Sequence, residues 1–257
     1  MERAERHRDA VRRVLDYDDL DGLRRVLEAG SGEAFAADAL EGTILWALGR
    51  ERSREHIRLL IAHGAPVSPD EATLAVRRGR LELLDLLGAP SPTPVDELLG
   101  ALRRADRADV DSVLEANPGL LDALGRGDHD ALVHAAGIGK TEAVRAMLEV
   151  GFPTDVLSEE FNETALHAAA WYGYAASVEL LLAAGADPNA EAGAPFGGLP
   201  LDWALRGSSH ADHAVLGRSG EGIDYAEVVR RLLGAGARMS WPEVEREASD
   251  EVTPLLG

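Results

Sequence analysis

Side chains that could bind a metal ion gather in one polar stretch, SHADHAVLGRSGEGID, at residues 209–224. They are His210, Asp212 and His213, with Asp202 before the stretch and Asp224 at its end. Imidazole and carboxylate groups together form many zinc sites. The spacing matches no diagnostic ligand pattern, however, and two solvated histidines in a loop explain it more simply. We therefore expect no metal site.

The sequence motifs of the common catalytic sites do not occur in the chain. The patterns GxxxxGK[ST], HExxH and GxSxG are missing, and there is no cysteine to act as a nucleophile. The segment GIGKT at residues 137–141 resembles the end of a phosphate-binding loop, but helix-like residues precede it where such a loop needs a strand. We expect no catalytic residue and no cofactor.

Charge and composition disfavour several kinds of partner. The formal net charge is −19, which disfavours binding to nucleic acid and to anionic membranes. No apolar run reaches the ~18 residues of a membrane span, and the opening MERAERHRDA lacks the apolar core of a signal peptide. We expect a cytoplasmic protein. Lys140 is the single lysine, and this arginine bias favours a GC-rich, bacterial source.

A period of 34 residues organises the chain. The stretch ETALHAAAWYGYAASVELLLAAGADPNA aligns with HDALVHAAGIGKTEAVRAMLEVGFPTD, one period earlier. The matched pairs are Leu132 and Leu166, Gly139 and Gly173, Val144 and Val178, and Gly151 and Gly185. Similar spacing predicts five more units, whose anchors are Val11 and Leu23, Leu45 and Ile57, Ala72 with Gly79 and Gly88, Leu98 and Val110, and Leu201 and Val229.

Each unit is expected to form two short helices. In the stretch that begins ETALHAAAWYG, Thr164 is a natural N-cap. Gly173 ends the first helix because it has no Cβ to resist a left-handed turn. Val178, Leu181 and Leu182 form the apolar stripe of the second helix. Neither helix buries its stripe alone, so the units must stack side by side with matching positions aligned.

These residues resemble the ankyrin repeat, whose pattern runs T-P-L-H-x-A-A-x-x-G and then V-x-x-L-L-x-x-G-A-D-x-N. The resemblance covers roughly residues 9–237 and is most specific in the 160s to 180s. It implies an all-α solenoid of about seven helix-turn-helix units with short turn fingers, and a non-catalytic protein-interaction role. The motif histidine survives as His167, and its family role of tying repeats together implies a structural residue. Elsewhere Trp46, Val133 and Asp202 replace it.

The resemblance also implies a site. In ankyrin repeats the two residues before the first-helix glycine face the concave groove, where partners usually bind. Those positions here are Asp16 and Tyr17, Arg50 and Glu51, Arg77 and Arg78, Arg103 and Arg104, Gly137 and Ile138, Trp171 and Tyr172, and Arg206 and Gly207. Arginine suits carboxylates, and aromatic rings supply contact area. We predict that a protein partner with an acidic or aromatic-bearing segment binds Arg50, Arg77, Arg78, Arg103, Arg104, Trp171, Tyr172, Phe196 and Arg206.

Simpler roles for the same residues stay open. A cation in the last turn of a helix is favoured by ~0.3–1 kcal/mol through the helix dipole. Arginines at these positions can also pair with neighbouring carboxylates and have no other role. Trp171 and Tyr172 can pack against the loop at residues 191–198, which carries Phe196.

Two other functions also stay open. A small-molecule-binding protein or an atypical enzyme would use a pocket under residues 209–224. Its lining would be Trp171, Tyr172, Phe196 and Trp203, with Arg206, His210 or Asp202 as polar groups. An acidic inhibitor or mimic would instead present carboxylates to a basic partner.

The last unit departs from the common spacing. Its anchors Leu201 and Val229 are 28 residues apart instead of 12, which indicates a 16-residue insertion at 209–224. The third unit, near residues 69–89, is weak, and its second helix looks about one turn short.

The two parts of the predicted domain organisation meet near residue 240. Residues 1–239 form the repeat array. Residues 240–257 begin with Ser240 and Glu243, which fit a capping box, and are expected to form a short acidic helix that covers the open end of the stack.

Overall fold

The computed structural model describes residues 2–30, 39–159, 161–194, 196–211, 222–240 and 248–256. Regular structure in these ranges is helical, apart from one isolated antiparallel bridge between Tyr174 and Ile223. The predicted all-α fold is confirmed. The α-helices are α1 (Glu2–Asp16), α2 (Leu20–Gly30), α3 (Thr43–Gly49), α4 (Arg54–Ala62), α5 (Pro69–Arg77), α6 (Leu84–Leu87), α7 (Pro94–Arg104), α8 (Arg107–Ala116), α9 (Arg126–Gly137), α10 (Thr141–Glu149), α11 (Ala165–Trp171), α12 (Ala175–Ala183), α13 (Pro200–His210) and α14 (Tyr225–Gly234).

The described residues divide into two compact units, one up to Gly100 and one from Ala101 onward. In the first unit α1 packs on α2, α3 on α4 and α5 on α6, while α1, α3 and α5 stack in order. In the second unit α9 packs on α10, α11 on α12 and α13 on α14. There the first helices α9, α11 and α13 stack in order, and so do the second helices α10, α12 and α14. Stacking of equivalent helices is what the 34-residue period predicts; the number of complete repeats stays a prediction.

The first helix of most units ends in the same turn, in which an N–H donates to the carbonyl oxygen five residues earlier. These bonds are Asp19 to Val14 (3.0 Å), Arg52 to Ala47 (2.9 Å), Arg80 to Ala75 (2.8 Å), Asp106 to Ala101 (3.0 Å), Lys140 to Ala135 (3.0 Å) and Tyr174 to Ala169 (2.9 Å). The residue before each donor has a positive φ: Asp18, Glu51, Gly79, Ala105, Gly139 and Gly173. This closure satisfies carbonyls that a helix end leaves open.

The turn after α3 corrects two details of the predicted register. Glu51 itself takes the left-handed position, with a φ of 57°, so that Gly49 and Arg50 correspond to Trp171 and Tyr172. Leu45, predicted as a buried anchor, is 38% exposed, whereas Ile44 is 1% exposed. The reason is that α3 starts at the threonine of the motif, and a shift of one residue turns a helix face by about 100°.

The third unit has the short second helix that its sequence predicts. Residues Leu81–Leu83 form a 3₁₀ turn that leads into α6, which has four residues against nine in α4. None of the helices in the described ranges is long and apolar enough to cross a membrane.

Buried anchors hold the second unit together. Leu132, Val144, Leu166, Val178, Leu201 and Val229, all predicted as anchors, are at most 1% exposed. Near the chain end, Val252 is fully buried and the Ser249 N–H donates to Ser208 Oγ over 2.9 Å. The helix predicted to start at Ser240 falls on residues 241–247, which lie outside the described ranges.

Candidate functional site

In the first compact unit, the predicted partner-binding residue Arg50 is held by a carboxylate. Its Nε lies 2.9 Å from the Asp16 carboxylate, which also accepts a hydrogen bond from Trp46 Nε1 over 2.9 Å. The Arg50 guanidinium lies 4.7 Å from the centre of the Trp46 ring, a cation–π contact. Arg50 therefore has both an ionic and an aromatic partner within its own unit.

Arg77 is held in the same way by Asp96, at 3.2 Å. Asp96 is 8% exposed and also accepts from the Thr93 backbone N–H over 2.8 Å, which caps α7. Burial disfavours the charged carboxylate, but the hydrogen bonds from Thr93 and Arg77 outweigh it, so the pKa of Asp96 lies below its ordinary value. Arg78, the next residue, is the C-cap of α5 and is half-buried.

The two predicted arginines of α7 that lie in the second unit also have partners. Arg103 is 6% exposed, and its Nη2 lies 3.1 Å from His134 Nδ1. A guanidinium can only donate, so Nδ1 accepts and the proton of the neutral ring is on Nε2. Arg104 pairs with Asp109 at 2.6 Å. Arg50, Arg77 and Arg104 thus each pair with a carboxylate of the chain. That these arginines also bind a partner stays a prediction.

Aromatic side chains of the second unit form a continuous row. The ring centres are 5.9 Å apart for Phe161 and Phe196, 6.2 Å for Phe196 and Trp203, 5.8 Å for Trp203 and Trp171, and 6.5 Å for Trp171 and Tyr172. The rings meet tilted or edge to face, as aromatic pairs prefer. We call these five residues the aromatic ridge. Phe161 is 41% and Phe196 56% exposed, while Trp203 between them and α11 is 9% exposed.

The ridge shows how Trp171 and Tyr172 relate to the loop before α13. Their expected packing against that loop runs through Trp203, whose ring contacts both Trp171 and Phe196. Trp203 also donates from Nε1 to the Gly197 carbonyl over 2.8 Å. Trp203 therefore lies packed under the loop that precedes α13.

Hydrogen bonds between two loops hold Phe161 and Phe196 in place. Asn162, with a φ of 54°, donates from Nδ2 to Ala194 O over 2.9 Å, and its own carbonyl accepts from Gly193 N over 2.7 Å. A Cβ at Gly193 would lie 2.7 Å from the Asn162 Cβ, so the close approach depends on glycine. Loops ordered in advance lower the entropy cost of binding a partner.

His167 ties α11 to the loop that carries Phe196. Its Nδ1 lies 3.3 Å from the Thr164 N–H and 2.8 Å from Thr164 Oγ1, and its Nε2 lies 3.2 Å from the Gly198 carbonyl. The backbone N–H can only donate, so Nδ1 accepts and Nε2 donates. Burial lowers the pKa of His167 to about 4 and keeps the ring neutral. The predicted structural role of His167 is confirmed.

Asp202 does a similar task at the equivalent position of α13. This fully buried carboxylate accepts from the Leu199 N–H over 2.7 Å and from the Ser240 N–H over 3.0 Å. His167 donates to a backbone carbonyl, whereas Asp202 accepts from a backbone N–H. Both residues connect the first helix of a repeat to the loop that follows that repeat. Asp202 is therefore engaged in structure.

Two contacts fix the C-terminal end of α11. The Trp171 carbonyl accepts a hydrogen bond from Tyr225 Oη over 2.8 Å. Gly207 of α13 approaches so closely that a Cβ there would lie 2.0 Å from the same carbonyl oxygen. Arg206 is the neighbour of Gly207 and therefore lies at the Trp171 end of the ridge. Its side chain is half-buried.

The residues considered for a metal site are only partly described. His210 is exposed, and its Nδ1 lies 3.1 Å from the Arg206 carbonyl one helical turn earlier. Asp212 and His213 lie outside the described ranges. Among the residues that the structure does describe, no three His, Asp or Glu side chains are placed to hold a metal ion.

An open pocket of about 230 Å³ lies elsewhere in the second unit, between α8 and α10. Its floor is apolar, from Leu102, Val110 and Ala146, and an ion pair between Arg107 and Glu149 crosses it at 3.1 Å. It shares no residue with the aromatic ridge. The polar groups named for a small-molecule site are not part of it.

The stacked helix pairs, their recurring turns and the buried anchors agree with a family comparison. The model described as "Ankyrin repeats (3 copies)" matches residues 98–192. Residues 98–192 are therefore ankyrin repeats. The matched ankyrin repeats include Arg103, Arg104, Trp171 and Tyr172, whereas Phe196 and Trp203 follow directly after them. Ankyrin repeats indicate a protein–protein interaction module. A comparison with curated proteins found no match.

Phe161 belongs to the site although the repeat pattern does not point to it. Phe161 precedes Phe196 by 35 residues, one more than the repeat period, and both belong to loops before a first helix. That near-periodic spacing of two phenylalanines was the available signal. The contact between them depends on how closely Asn162 and Gly193 approach, which the ankyrin pattern does not specify.

We predict that lowering the pH from 7 to 5 reduces the free energy of unfolding by about 2 kcal/mol through His167. The pKa of His167 is about 4 in the folded ankyrin repeats, against an ordinary 6.5. The unfolded chain therefore takes up the proton first. The contribution is full above pH 6.5 and is lost as the pH falls toward 4. Urea unfolding at several pH values measures it.

His167→Gln is the matched control for this effect. Its amide N–H can still reach the Gly198 carbonyl, but it does not titrate. Comparing the two proteins removes the contribution of His56, whose pKa burial also lowers. Identical pH slopes for wild type and His167→Gln would contradict the prediction.

Proposed function

We propose that this ankyrin repeat protein is a non-catalytic interaction module whose second unit binds a segment of a partner protein across the aromatic ridge. The observation that carries the proposal is the open end of the ridge, where Phe161 and Phe196 are exposed, in contact, and held by hydrogen bonds. Clustered exposed apolar surface marks interaction sites. Aromatic residues also dominate interface hot spots.

The chemistry of the ridge favours an aromatic or other flat apolar side chain on the partner. Phe161 and Phe196 offer tilted rings, on which a further ring can stack or meet an edge. Phe196 packs against Trp203, which is itself largely buried on α13. We expect most of the affinity to arise here.

The arginines of either unit fit acidic side chains of a protein partner. In the second unit these are Arg103, Arg104 and Arg206, and in the first unit they are Arg50, Arg77 and Arg78. A guanidinium has five N–H donors, so it can donate hydrogen bonds to a second carboxylate while it still binds the first. Because an existing pair such as Arg77 with Asp96 already neutralises the guanidinium charge, we expect the arginines to select partners more than to strengthen binding.

A peptide library displayed on phage and selected on the full chain tests the proposal. We expect selected peptides to carry an aromatic or large aliphatic residue, and Phe196→Ala to weaken their binding at least about 10-fold, as hot-spot truncation does. Isothermal titration with synthetic peptides gives the Kd. Phe196 is 56% exposed, so its truncation should leave the fold intact.

Leu233→Ala is the matched control, since Leu233 is another exposed apolar residue of the second unit and lies on α14. It should leave the Kd unchanged. Peptides that bind equally well to wild type and Phe196→Ala would show that the ridge is not the site. The bacterial source and cytoplasmic location stay predictions.

A further inference from the structure

One edge of the second unit carries mostly negative charge, although Arg126 Nε donates there to the Leu157 carbonyl over 3.1 Å and Arg238 Nε lies 3.5 Å from Asn189 Oδ1. The loops before α9, α11 and α13 cover residues 117–125, 150–164 and 184–199, and their sequences contain no lysine or arginine. We call them the loop edge. Its exposed carboxylates are those of Asp122, Asp155, Glu159, Asp187 and Glu191. Phe161 and Phe196, the open end of the ridge, belong to this edge.

Four cations lie at the other end of the first helices, which we call the turn edge, beside the carboxylates of Asp106, Asp109 and Asp224. Its cations are those of Arg103, Arg104, Lys140 and Arg206. Arg206 is placed there by its neighbour Gly207, which touches the Trp171 carbonyl. The aromatic ridge runs from the loop edge, at Phe161, to the turn edge, at Tyr172.

We propose that a partner segment crosses the second unit in one direction only. A lysine or arginine of the segment lies against the loop edge, an aromatic or aliphatic side chain lies on the ridge, and an aspartate or glutamate lies at the turn edge. This inference rests on the proposed function and specifies its partner. The excess of carboxylates at the loop edge and the cations at the turn edge favour this orientation over the reversed one.

The length of α11 limits the spacing of those charges. Its seven residues span about 10 Å. An extended segment covers that distance in about three or four residues. The basic and acidic residues of the segment should therefore be separated by about three to five positions, with the apolar residue between them.

Charge variants of the chain and of the peptides test the orientation. Peptides whose binding depends on Phe196 are titrated against Glu191→Lys at the loop edge and Arg206→Gln at the turn edge. We expect each variant to weaken binding about 2- to 5-fold at low salt. The effect of Glu191→Lys should vanish when the basic peptide residue is replaced by alanine. The effect of Arg206→Gln should vanish when the acidic one is replaced.

Matched controls come from the second helices of the same unit. Glu115→Lys on α8 and Arg145→Gln on α10 change charge by the same amounts and should leave the Kd unchanged. If Phe196→Ala abolishes binding but the charge effects are absent, equal to the controls or reversed, the orientation is wrong and the proposed function stands. If Phe196→Ala has no effect, both are wrong.

Discussion

Gly207→Ala should lower the free energy of unfolding by more than about 3 kcal/mol, as overpacking between two stacked helices does. The added Cβ would lie 2.0 Å from the Trp171 carbonyl oxygen, a backbone atom that cannot rotate away. That oxygen also accepts the Tyr225 hydroxyl, so separating α11 from α13 removes a hydrogen bond as well. Urea unfolding followed by circular dichroism measures the change.

Gly234→Ala is the control for this substitution. Gly234 is the last residue of α14, and a Cβ there would meet nothing within 4 Å. Alanine is a better helix former than glycine by up to about 1 kcal/mol, so this variant should be neutral or slightly stabilised. A Gly207→Ala protein as stable as Gly234→Ala would mean that the two helices do not approach as described.

Arg52→Ala should cost about 3 kcal/mol of unfolding free energy, since it removes a buried charged partner and leaves a cavity. The Arg52 side chain is fully buried in the first unit, although arginine is rarely buried. Its Nη1 pairs with Asp18 at 3.0 Å, and its Nη2 donates to the Asp16 carbonyl over 3.2 Å. The turn after α1 thus depends on Arg52, a residue of the next helix pair.

Two further variants separate charge from volume at Arg52. Arg52→Met fills most of the space without the charge and should recover part of the loss. Arg24→Ala removes an arginine that is 43% exposed and paired with Asp21 at 2.9 Å, and should change stability little. If Arg52→Ala unfolds at the same urea concentration as Arg24→Ala, the Arg52 contacts contribute nothing to stability.

The helical layout was largely predictable because each unit repeats the same local signals. Leu166 and Val178 recur one period away as Leu132 and Val144, and all four are buried. Glycines at 139 and 173 end their helices in the predicted positions. Where those signals weaken, the prediction failed, since Glu51 occupies a turn position that the pattern assigns to glycine.

The candidate site was predictable only in part. Trp171 and Tyr172 stand out in the sequence because bulky rings precede a turn glycine. Their connection to Phe196 through Trp203, and the contact of Phe196 with Phe161, join two helices and two loops. Likewise, the arginines recur at two adjacent repeat positions, but their carboxylate partners Asp16, Asp96 and Asp109 follow no common spacing from them.

The amino-acid sequence alone determined the two-helix unit, its period and its buried anchors, because helix caps, glycine turns and apolar stripes act over a few residues. Only the tertiary structure decided which side chains meet between units, including the aromatic ridge, the clamp at Arg52 and the contact at Gly207. Those meetings depend on the distance and rotation between stacked helices. A one-residue shift in the start of a helix, such as the one that exposes Leu45 and buries Ile44, changes that rotation. Such a shift is almost invisible in the repeat pattern.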